Sequence, residues 1–126
     1  MSDFKKILLA TDFSESSRGA EGSALSLARS LDAAVLILHV VELPPGLDPE
    51  KSVRPDPDGP TLPLREYVTM ADSGALQQLT DAFRAAGVAV SYLIEFGPIV
   101  ATIIKHVQSA HADLVVVGSH GRTGLR

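Results

Sequence analysis

Near the end of the chain, Gly118-Ser119-His120-Gly121-Arg122-Thr123 has the residue types of a phosphate cradle. Glycine admits positive φ, so successive backbone N–H groups can converge on phosphate oxygens. Arg122 adds a cation and Thr123 a hydroxyl. A plain tight turn ahead of a helix fits the same residues, and for a lone GxxG that reading is the commoner one. The run is not a Walker A sequence, because no Gly-Lys-Ser/Thr follows, and it is not a GxGxxG. Asp12 is the second residue of interest. It follows the apolar run Ile7 to Ala10, where a carboxylate can accept hydrogen bonds from a ribose or hold a metal-bound water. It can equally cap the next helix, since Asp12 and Glu15 have capping-box spacing, and position alone leaves both roles open. His39 lies inside an apolar run and reads as packing. His106 and His111 lack a partner at metal-ligand spacing. Ser119, His120 and Asp12 do not make a hydrolytic triad, because adjacent Ser and His in one loop cannot present the required geometry.

The elements that must position these residues follow from hydrophobic period. Ile7 to Ala10, Ala34 to Val41 and Leu114 to Val117 are apolar runs without polar alternation; the first two read as strands buried on both faces and the last as a buried strand. Val88 to Glu95 is another strand, with Ser91 marking a less buried or edge position. Between the strands lie three helical patterns. The first carries Ala20, Ala24, Leu27, Ala28 and Leu31 on one face and ends at Asp32. The second spans Leu64 to Ala86, with Val68, Ala71, Ala75, Leu76, Leu79 and Phe83 as its stripe and Gly87 as its C-terminal cap. The third follows Gly97-Pro98 and shows Ile99, Val100, Ile103, Ile104 and Val107. Seven of the eight prolines fall between positions 42 and 63, a density that predicts an extended surface loop without regular elements.

Strand and helix alternate throughout, which predicts an α/β domain: an open parallel sheet with helices on both faces. Ligands of such sheets sit at the carboxyl ends of the strands, where the connections change direction. Thr11-Asp12, Val40-Val41 and Gly118 to Gly121 are therefore expected to meet.

The 126 residues make one domain, 1–126, with a hydrophobic content of 45% that can fill a core. A net charge of −4 argues against general nucleic-acid binding. Without cysteine there is neither a disulfide framework nor a thiolate metal site. The first residues lack an apolar signal core, and the apolar runs are of strand length, so the expectation is a cytoplasmic protein without membrane contact.

The chain resembles the universal stress proteins of the UspA type. The resemblance rests on "KKILLATDFSESS" at the start, "LILHVV" in the second strand and "GPIVATIIKHVQSAHADLVVVGSHGRTGL" at the end. It implies an adenine nucleotide alpha hydrolase-like, Rossmann-like sheet in the order 3-2-1-4-5, usually dimeric. One branch of the family binds ATP through a G-x2-G-x9-G-[S/T] loop, whose first two glycines match Gly118 and Gly121. The resemblance further implies that Asp12 contacts the nucleoside and that the backbone of Val40 reads adenine. Ala10, Thr11 and Val117 would line the same pocket, with His120 and Arg122 in the loop. The rest of that loop and the fifth strand would lie past Arg126, so the resemblance predicts a chain truncated at its C-terminus. The implied function is a stress-response module that binds ATP or AMP, with Mg²⁺ bridging the phosphates to Asp12 through water. No general base or nucleophile stands out, so any hydrolysis is expected to be slow. Two other readings remain: a scaffold that binds proteins rather than nucleotides, and an adenylating enzyme, for which the chain has no room for a substrate domain.

Gly121→Val is expected to weaken ATP binding more than adenosine binding. A β-branched side chain would push phosphates off the backbone donors and disfavour positive φ. Affinities of the variant for the two ligands check this. Equal losses would mean that the loop supports the whole pocket.

Overall fold

The structure is a computed structural model that describes residues 5–13 and 15–118. In chain order the elements are β1 (Lys6–Ala10), α1 (Glu15–Leu31), β2 (Ala34–Val41), β3 (Ser52–Val53) and β4 (Leu62–Pro63). They continue with α2 (Leu64–Ala85), β5 (Val90–Phe96), α3 (Ile99–Ser109) and β6 (Leu114–Val117). Four strands form one parallel sheet in the order β5-β2-β1-β6. Counted alone, these four run 3-2-1-4 as expected. Whole-chain numbering differs in detail because segment 42–63 contributes two short strands of its own.

Alternation along the strands divides the core into two layers. Ile7, Leu9, Val35 and Ile37 face α1 and α2, packing on Ala24, Ala28, Leu76 and Phe83. Leu8, Ala10, Leu38 and Val40 face α3, where Ile99, Ile103 and Val107 cover them. β1 is thus closed in on every side: Ile7, Leu8 and Leu9 have no exposed surface.

Each helix packs on a face slightly different from the periodicity-derived one. On α1 the alanine row at 20, 24 and 28 is buried as expected, but Leu27 is exposed and Leu25 packs instead. Those two leucines flank the row symmetrically, so spacing alone does not separate them. On α2, Leu76, Thr80 and Phe83 are buried, whereas Ala71 and Ala75 are exposed. The buried row runs through Asp72 and Thr80, two polar residues that hydrophobic period overlooks. On α3, Thr102 and His106 are buried while Val100 and Ile104 are 70% and 52% exposed. His106 Nε2 lies 3.0 Å from Glu95 Oε2 on β5, a polar contact that joins this side of the helix to the sheet.

The terminations carry clear reasons. Asp32 ends α1 in the left-handed region at φ 54°. Gly87, at φ 84°, closes α2 as expected: its N–H donates to Arg84 O and the Val88 N–H to Phe83 O, the pairing of a Schellman motif. That bond uses Val88, so sheet pairing begins at Val90, two residues later than the sequence suggests. Ser91 and Tyr92 on β5 are exposed, in keeping with an outer strand.

The proline-rich segment is corrected by the structure. Ser52 pairs with Pro63 and Val53 with Leu62 in an antiparallel hairpin. Its base is tied to α2 by Leu64 N–H to Lys51 O and Arg65 N–H to Pro49 O, each 2.7 Å, and by an Arg65–Glu50 ion pair. Pairing survives the proline density because Pro63 ends its strand and the prolines at 55, 57 and 60 lie in the connection. Among the described residues no helix is long and apolar enough to cross a membrane.

Asp113 clasps the starts of β1 and β6. Its Oδ2 accepts the backbone N–H groups of Lys5 at 2.8 Å and Lys6 at 3.0 Å. These two bonds favour the ionised form and hold the carboxyl below its ordinary range. A group with a depressed folded pKa stabilises the fold above its unfolded value, and that gain is lost as pH falls through the folded value. Asp113→Ala is therefore expected to lower Tm at neutral pH by a few degrees. The gap to the unsubstituted chain should close as pH falls below the carboxylate range. Thermal melts at stepped pH check this, and a gap that stays constant into strong acid would remove the carboxylate from the explanation.

Candidate functional site

The chain leaves β1 onto the face of α1, whereas β5 connects to β6 across α3 on the opposite face. The sheet therefore has its change of direction between β1 and β6, and a crevice opens at their carboxyl ends. An open cleft of about 370 Å³ occupies this place. One wall is apolar, built by Ala10, Leu38, Val40, Ile99 and Ile103; Thr11, Asp12 and Ser17 make the polar rim, and Val117 with Gly118 closes the far side. A wider groove of about 820 Å³ runs past Arg65, Thr69 and Tyr92 beside the outer strand β5, remote from the converging strand ends.

Backbone direction explains how Val40 can present polar groups in an apolar wall. The Thr11 N–H donates to Leu38 O at 3.0 Å, so Leu38 turns its backbone toward β1. Val40, two residues on, turns the same edge that way. Ala10–Leu38 is the last pair between the two strands, so the Val40 edge lies past the end of the ladder.

The turn after β1 is densely bonded. Thr11, 5% exposed, donates from Oγ1 to Glu21 Oε2 at 2.8 Å and accepts the Phe13 N–H on the same oxygen at 3.0 Å. Ser17, in the first turn of α1, donates its hydroxyl to Asp12 Oδ1 at 2.7 Å. Asp12 thus meets the helix start and the cleft together, so the two roles left open by position are compatible. Phe13 sits at φ 65°, a left-handed conformation that costs a bulky residue about 1–3 kcal/mol. Its ring lies 4.6 Å from that of His39. His39 is more than packing: Nδ1 lies 2.9 Å from Thr11 O and Nε2 2.8 Å from Asp72 Oδ2.

The structure therefore brings Ala10, Thr11, Asp12, Val40, Val117 and Gly118 to one cleft. His120, Gly121 and Arg122 lie outside the described residues. Ile99 and Ile103 were legible only as a core stripe; their position above the strand ends makes them a wall of the cleft as well. Ser17 carried a signal that went unused, since it stands in the first turn of the helix that Asp12 precedes. None of the described lining residues is cationic, so the described part suits an uncharged, flat group with hydroxyls better than an anion. Among the described residues no cluster of three or more His, Asp or Glu could hold a metal ion.

The sequence profile of the universal stress protein family matches residues 3–126. Universal stress protein MJ0531 of Methanocaldococcus jannaschii is 29% identical over 124 residues, covering 97% of this chain and 68% of the relative. Among solved structures, protein MJ0577 superposes with a TM-score of 0.73 at 22% identity, over 98% of this chain and 80% of that one. A universal stress protein in complex with cAMP superposes with a TM-score of 0.65 at 21% identity, over 98% and 77%. These structural likenesses show the common α/β fold, and the match of the family profile across nearly the whole chain shows that it belongs to the universal stress protein family.

Proposed function

We propose that the chain binds an adenine nucleotide, ATP or AMP, in the cleft at the carboxyl ends of β1, β2 and β6. The observation that carries the reading is the meeting of three unlike groups there: the Val40 backbone edge, the Asp12 carboxylate and the start of the glycine loop at Gly118. Ala10, Val40, Ile99 and Ile103 give the cleft an apolar lining that suits a base. The Val40 N–H and C=O would meet N1 and the N6 amino group of adenine. Asp12 would accept from ribose hydroxyls, and the loop from Gly118 through Gly121 and Arg122 would meet the phosphates. Mg²⁺, which keeps several waters and takes few protein ligands, would reach Asp12 through water. The cAMP complex of a structural relative supports an adenine nucleotide as the ligand class. In this reading the protein acts by binding, with at most slow hydrolysis, as a cytoplasmic homodimer that responds to nucleotide levels.

Guanine presents a donor at N1 and an acceptor at O6, the reverse of adenine, so it would face like groups at Val40. One buried mismatch of this kind costs roughly 1–3 kcal/mol, at the upper end about a hundredfold in affinity. Calorimetry is expected to show ATP and AMP binding with GTP at least about tenfold weaker. No heat with any adenine nucleotide up to millimolar concentration would reject the reading in favour of a protein-binding scaffold. Asp12→Ala should weaken AMP about 10- to 100-fold, the loss of a charge-assisted hydrogen bond. An unchanged affinity would assign Asp12 to the helix cap alone.

A further inference from the structure

We propose that His39 and Asp72 are positioning residues for this cleft, and that their hydrogen-bonded pair holds the Thr11–Asp12 turn in place. The functional half rests on the nucleotide reading above; the structural half does not. His39 is 6% exposed and occupies the face of β2 opposite to Val40. Its two ring nitrogens meet two acceptors. The Thr11 carbonyl oxygen, 2.9 Å from Nδ1, can only accept, so Nδ1 carries a hydrogen. Nε2 then faces Asp72 Oδ2 at 2.8 Å. Two lone pairs cannot meet at that distance, so a proton lies between them, on the imidazole or on the carboxyl.

The pair acts on the site through the backbone. The bond to Thr11 O fixes the peptide plane joining Thr11 to Asp12, and with it the direction of the Asp12 side chain. The same imidazole lies against Phe13, which holds a left-handed φ that it would not adopt unsupported. The charged groups on the elements around the ring are Asp72 from α2, Glu21 from α1 through the Thr11 hydroxyl, and Asp12 beyond the Thr11 carbonyl. Asp72 is 33 residues from His39, so the pair also ties α2 to the strand end. Neither residue lines the cleft, so both act through Thr11, Asp12 and Phe13.

Asp72→Asn separates this device from simple packing. An Asn amide can donate to Nε2 of a ring whose Nδ1 still donates to Thr11, which keeps the bond, whereas Asp72→Ala removes it. In the ligand-free chain, the amide NMR signals of Thr11, Asp12 and Phe13 should move in Asp72→Ala and stay near their natural positions in Asp72→Asn. Adenosine is the binding probe. Its affinity should be at least about tenfold weaker in Asp72→Ala and be restored in Asp72→Asn. Turn amides and adenosine affinity that are unchanged in a folded Asp72→Ala, or that are lost equally in Asp72→Asn, would overturn the proposal. Turn amides that move in Asp72→Ala and return in Asp72→Asn, in a chain that binds no adenosine or AMP, would reject the nucleotide reading and support the control of Asp12 by the pair.

Discussion

β1 has no free face and no free edge. β2 and β6 take its hydrogen bonds on both sides, and two helical layers cover it above and below. At its carboxyl end the chain stays buried through Thr11 and reaches water only at Asp12, so the polar groups of Thr11 must be satisfied within a turn of a few residues. The dense bonding follows from this constraint. Thr11 spends its hydroxyl on Glu21 and Phe13, its N–H on Leu38 and its carbonyl on His39. The left-handed Phe13 persists because these contacts over-determine it. A strained and well-bonded turn at the mouth of a crevice is the setting in which a ligand-binding carboxylate is held still.

The two helical layers are pinned in similar ways. On one face His39 reaches Asp72 of α2; on the other, His106 of α3 reaches Glu95 of β5. Both pairs sit toward the carboxyl ends of their strands, and Glu95 stands beside Val40 in the sheet register. Apolar packing alone would let either helix rotate about its axis at small cost, because a stripe of similar side chains specifies angle poorly. A hydrogen-bonded pair fixes the angle and thereby the walls of the cleft that Ile99 and Ile103 supply.

Much of this was legible in the sequence. Unalternated runs gave away β1, β2 and β6, glycine and proline punctuation placed the ends of α2 and α3, and the switch-point rule brought Asp12, Val40 and Gly118 together. Features that depend on partners distant in sequence stayed hidden. Hydrophobic period treats Asp72 and Thr80 as interruptions, so the buried row of α2 was read one position to the side. His39 was legible as buried, but not as bonded, because nothing near position 39 hints at a carboxylate on another element. The hairpin at 52–63 hid behind its prolines, which occupy the connection and the strand end where no N–H is required. Part of the glycine loop, from residue 119 on, lies beyond the described residues.

An amide-resolved NMR titration with ATP tests most directly whether the crevice at the strand ends is a nucleotide site. The backbone signals of Thr11, Asp12, Val40 and Gly118 should move together and saturate on one binding curve, while those of Arg65, Thr69 and Tyr92 beside β5 stay in place. Saturable shifts confined to that outer groove, or no shifts at millimolar ATP, would contradict it.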